Sequence, residues 1–129
     1  MIKRIAFLTF LATSVDAETA MTAAEFESYA TGKTLTYAEG GIVYGIEEYL
    51  PDRNVRWSFL DGECTDGYWY ANEDLICFRY VGIADAQCWR FFQRSGQLIA
   101  QFESDASIEY YEAQQTSAPL QCRGPDVGV

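Results

Sequence analysis

Cysteine and arginine are the residue types whose number and spacing bear most directly on chemistry in this chain. The four cysteines, Cys64, Cys77, Cys88 and Cys122, include no C-x-x-C pair of the kind that redox enzymes and zinc sites use. Histidine is absent, which excludes Ser-His-Asp and Cys-His catalysis, His-ligated zinc and the usual proton shuttle near neutral pH. No metal and no cofactor is expected. Carboxylates are abundant, with Glu47 beside Glu48 and Glu73 beside Asp74, but spacing singles out no acid and base for hydrolysis. A solvated acidic surface accounts for them more simply. Asp61, Glu63 and Asp66 place carboxylates at the first, third and sixth positions of a loop, whereas an EF-hand needs glycine at the sixth. A polar turn is the simpler reading.

The opening residues read as an address. Lys3 and Arg4 precede an apolar run, Ile5 to Ala12, and Val15-Asp16-Ala17 then offers small residues where a signal peptidase cuts. The expectation is a signal peptide over 1–17 and a single mature domain over 18–129, periplasmic or secreted. The apolar run falls well short of the roughly 20 residues that span a bilayer. An even number of cysteines in a small exported domain implies disulfides. The chain has a net charge of −10, and losing Lys3, Arg4 and Asp16 with the leader takes it to −11. That sign makes nucleic acid and an anionic membrane surface poor partners. With 129 residues, 49 % of them apolar and 16 % aromatic, the chain has enough material to bury one core.

Thr22-Ala23-Ala24-Glu25 is a capping box, so a short helix is predicted from Ala23 to Ala30, stopping at Gly32. Beyond it the pattern alternates. Strands are predicted at Thr34–Ala38, Ile42–Leu50, Asn54–Leu60, Glu63–Tyr70, Leu75–Val81, Gln87–Gln93, Gln97–Glu103 and Ile108–Ala113, the last also compatible with a helical turn. Asp61-Gly62 predicts a two-residue hairpin, with Phe59 opposite Cys64 and Val55 opposite Tyr68. That register places Val55, Trp57, Phe59, Cys64, Tyr68 and Tyr70 on the core face and leaves Asp66 stranded there, unless a bulge near Gly67 intervenes. The fold class is therefore mainly β: a short N-terminal helix, then a seven- to eight-stranded antiparallel meander curled into a small barrel or half-barrel.

A hairpin centred on Gly82-Ile83 brings Cys77 opposite Cys88, at a separation that a disulfide accepts. Cys64 is then left for Cys122, a bridge that ties the tail to the sheet. The same register puts Arg79 and Arg90 on the disulfide's face, away from Ile76, Phe78, Tyr80, Trp89 and Phe91, and Arg56 also points away from the core. Three arginines on successive strands form a candidate site for a small carboxylate or sulfate. Ion pairing with Glu63, Glu73 and Glu103 on a solvated face carries more weight. The aromatic set Trp57, Tyr68, Trp69, Tyr70, Phe78, Tyr80, Trp89, Phe91 and Phe92 either lines a pocket or fills the interior. Filling is favoured, because a short chain needs its aromatics for burial.

Trp57, Asp61-Gly62-Glu63-Cys64, Leu75-Ile76-Cys77, Cys88-Trp89 and Gly96, taken in order, resemble small exported β-domains of unknown function from Gram-negative bacteria. The resemblance spans roughly residues 54–102 and implies a compact periplasmic β-domain with no assigned activity. The expected function is a non-catalytic binding or interaction module of the cell envelope, engaging a small ligand or an envelope protein. The alternative is a carboxylate-based periplasmic hydrolase. Binding is preferred because no nucleophile-and-base pair can be named.

Overall fold

A computed structural model describes residues 8–12 and 18–123. The signal peptide expected over 1–17 therefore lies largely outside the described residues. No described helix is long and apolar enough to cross a membrane.

Among the described residues one α-helix, α1 (Ala23–Ala30), precedes eight strands. These are β1 (Thr34–Glu39), β2 (Ile42–Tyr49), β3 (Asn54–Ser58), β4 (Thr65–Asn72), β5 (Leu75–Tyr80), β6 (Gln87–Arg94), β7 (Gln97–Phe102) and β8 (Glu109–Thr116). Each strand pairs antiparallel with the next, and β8 pairs back with β1, so the meander closes into a barrel. Closure leaves no sheet edge to pair with another chain.

The capping box forms as the sequence predicts. Thr22 Oγ1 accepts from the Glu25 N–H at 3.1 Å, and Glu25 accepts from the Thr22 N–H at 3.0 Å. Gly32, at φ 86°, ends the turn and donates its N–H to the Tyr49 carbonyl, which fixes the helix across one end of the barrel. The helix drives Phe26 into that end, where it is fully buried among Tyr49, Trp69, Phe78 and Phe91, with ring centroids 4.4–6.4 Å away. Four aromatic contacts on one ring make it the plug of the closed end.

Both disulfides join the predicted cysteines. Cys77 lies opposite Cys88 across β5 and β6, and Cys64 bridges to Cys122. Two disulfides suit an oxidising compartment such as the periplasm or the cell exterior.

The β3–β4 hairpin departs from expectation. Asp61-Gly62 does not form a two-residue turn; residues 59–64 make a longer loop, with Leu60 and Gly62 both in the left-handed region. The loop is pulled toward the tail by the Cys64–Cys122 bridge and by a hydrogen bond from the Arg123 N–H to the Gly62 carbonyl. Trp57 consequently faces Thr65, Arg56 faces Asp66, and Val55 faces Gly67. This one-residue shift sends every side chain of β4 to the other face. Trp69 is buried, Tyr68 is exposed, and Asp66 sits outside beside Arg56. The predicted core-face positions of Tyr68 and Tyr70 are thereby corrected. Gly67 takes the inward place, where a Cβ would lie 2.2 Å from the Arg79 carbonyl oxygen.

Candidate functional site

The inside of the barrel divides into a filled end and an open one. Below, Phe26, Trp69 and their neighbours pack densely. Above, the inner face holds a cavity of about 70 Å³, while roughly 10–15 Å³ suffices for a single water. The space admits several waters or a small ring. Aromatic rings form its upper wall: Phe59, Trp57, Tyr44, Tyr110 and Trp89 touch in sequence at centroid separations of 4.2–5.6 Å. Gly45 shapes this wall, because a Cβ there would lie 2.2 Å from the Trp57 indole, which leans over bare backbone. Phe59 and Ile83 line the opening while remaining largely exposed.

Thr65 and Gln87 also line the cavity, and its deeper wall carries the buried polar groups. Glu47 stands on β2 opposite Trp57, with only 1 % of its surface exposed. Tyr80 donates its hydroxyl proton to Glu47 Oε1 at 2.7 Å, and Oε2 is buried with no hydrogen-bond partner. Such an orphan is uncommon in native interiors and asks for a reason. Burial pushes the Glu47 carboxyl up to about 8, against the opposing pull of the Tyr80 hydrogen bond. The Tyr37 and Tyr49 hydroxyls bond each other at 2.7 Å in the same wall, and burial drives both well above the ordinary phenol range. Among the described residues no lysine or arginine lines the cavity.

The three arginines singled out in the sequence all stand on the outside of the barrel and do not converge. Arg56 pairs with Asp66 at 2.9 Å and reaches Glu48 at 3.8 Å; Arg90 pairs with Asp74 at 2.9 Å. Arg79 donates to the Ala84 carbonyl at 2.7 Å. The expected partners Glu63, Glu73 and Glu103 are replaced by these, since the β3–β4 shift brings Asp66 beside Arg56. The disulfides Cys77–Cys88 and Cys64–Cys122 also lie away from the cavity wall. Among the described residues no group of three or more Cys, Asp or Glu side chains is placed to hold a metal ion.

Sequence reasoning missed Glu47, because two adjacent glutamates read as solvated. One signal was present: Glu47 shares strand parity with Tyr49, so an inward Tyr49 requires an inward Glu47 and an outward Glu48. Of the aromatic set expected to fill the interior, Trp69 packs at the closed end, Trp57, Tyr80 and Trp89 line the cavity, Phe78 and Phe91 touch both, and Tyr68 stands exposed outside.

No protein family, curated protein or solved structure matches the chain.

Proposed function

We propose that this protein is an exported, non-catalytic binding module of the cell envelope that takes a small ligand into the open end of its barrel. The observation that carries the reading is the aromatic-walled cavity with a buried, half-partnered carboxyl group at depth. Eight-stranded barrels are wide enough to hold one small ligand, and pockets of this kind combine apolar walls with few polar groups. Export is supported by the basic and apolar opening with Val15-Asp16-Ala17, by the disulfides, and by the resemblance to small exported β-domains. The hydrolase alternative calls for two carboxylates about 5–10 Å apart, and among the described residues the cavity lining supplies Glu47 alone.

Filling the cavity tests the reading. Ala100 is buried and lines the cavity, so Ala100→Phe should occupy the space, keep the barrel folded and abolish uptake of benzyl alcohol. Uptake is followed through the Trp57 and Trp89 indole N–H resonances. Equal shifts in the parent and the variant would place the alcohol elsewhere and overturn the proposal. So would a loss of about 1–3 kcal/mol in stability, the cost of overpacking an already filled core.

A further inference from the structure

Glu47 and its surroundings say what sort of ligand suits the cavity. A ligand carboxylate or phosphate would meet a carboxyl group and no basic side chain. A purely apolar ligand would leave Oε2 as it stands, buried and without a partner. A cation meets a carboxyl oxygen that, once ionised, is an acceptor with no other bond to make, and the cavity around it is lined by Trp57 and Trp89 together with Tyr44 and Tyr110. Aromatic faces attract ammonium groups through the ring quadrupole, most strongly when water is excluded. The chain's net charge of −10 further raises the local concentration of cations.

We propose that the ligand is an organic ammonium ion, an alkyl or aryl amine in its charged form. Its nitrogen is held at Glu47 Oε2 and its carbon frame between Tyr44, Trp57, Trp89 and Tyr110. The proposal rests on the cavity being a binding site and adds the ligand's chemical class.

A proton is exchanged in the process. Without a ligand, burial keeps the proton on Glu47 up to about pH 8. When R–NH₃⁺ docks, the carboxyl group gives that proton to solvent, and the complex is a carboxylate–ammonium pair. Below about pH 8 close to one proton is released per ligand bound, and affinity rises with pH, tenfold per unit at most. The groups facing Glu47 leave this titration its own. Tyr37 from β1, Tyr80 from β5 and the neighbouring Tyr49 ionise far higher. Trp57 faces it from β3, Glu112 bonds at the closed end of β8, and Glu48 and Arg56 point outward.

Calorimetric titration of the disulfide-bonded protein with benzylammonium, benzyl alcohol and benzamide decides the matter. The expected result is benzylammonium at least tenfold tighter than benzyl alcohol at pH 7. Release of about one proton should be read from buffers of different ionisation heat. Glu47→Gln should erase the preference of benzylammonium over benzyl alcohol. Equal affinities, a tightest benzamide, or no proton release would overturn the cation proposal and leave the cavity reading standing. Failure to bind any of the three would overturn both. Proton release in the parent protein decides the outcome even if Glu47→Gln does not fold.

Discussion

Two glutamates are buried inside this barrel, and its two ends serve them very differently. Glu112, at the end sealed by α1, accepts from the Tyr29 hydroxyl, the Leu98 N–H at 2.9 Å and the Gln115 side-chain amide at 2.8 Å. Burial, together with the hydrogen bond it donates to Glu112, pushes the Tyr29 phenol up to about 12. Glu47, at the open end, has one donor, Tyr80, and a carboxyl oxygen with none. A buried polar group is stabilising when its bonds are complete and costly when they are not. The closed end is therefore built for stability. The open end tolerates a deficit.

The largest effect should come from the plug. Phe26→Ala removes a ring packed on four others, and a loss of about 3–5 kcal/mol is expected in urea unfolding. A much smaller loss would mean that the closed end is no better packed than the open one.

The comparison itself is tested by making the same substitution at both acids. Glu112→Leu should cost about 2–4 kcal/mol, because three donors lose their acceptor. Glu47→Leu should be neutral or stabilising above pH 7, because it removes a poorly served acid. In the parent protein the sign with pH follows from the raised Glu47 value. Below about pH 4.5 the folded and unfolded chains both hold this proton; between there and about 8 only the folded chain does. The group's effect on stability thus worsens as pH rises through that window, by on the order of a few kcal/mol, and levels off above it. Glu47→Leu should remove that fall, as unfolding measured at pH 5 and pH 8 would show.

The smallest effect belongs to the outer face. Arg56→Gln, Arg79→Gln and Arg90→Gln should each change stability by no more than about 1 kcal/mol, since exposed pairs contribute little. They should leave ligand uptake unchanged. A loss of uptake in any of them would move the site from the interior to the outside of the barrel.

Much of the frame was legible in the residues, for local reasons. Thr22 with Glu25 marked the helix start, alternation marked the eight strands, and hairpin symmetry placed Cys77 against Cys88. The β3–β4 register was not legible. It depends on a tie between Gly62 and Arg123, residues far apart in sequence, and Asp61-Gly62 read alone favours a tight turn. The site was harder still. Arginines on neighbouring strands invited grouping, although β-sheet alternation had already sent them outward. Glu47 was hidden by Glu48, the adjacent identical residue on the opposite face.

The Cys64–Cys122 bridge has a practical side. One sulfur pair anchors both the end of the described chain and the loop that carries Phe59 to the rim of the cavity. Neither part can be set without the other. Protein made in a reducing cytosol would lack this anchor, so a binding assay on such a preparation would probe a vestibule with one wall unmoored. Production through an oxidising route, with the thiols counted beforehand, is a condition of any fair trial of what the barrel holds.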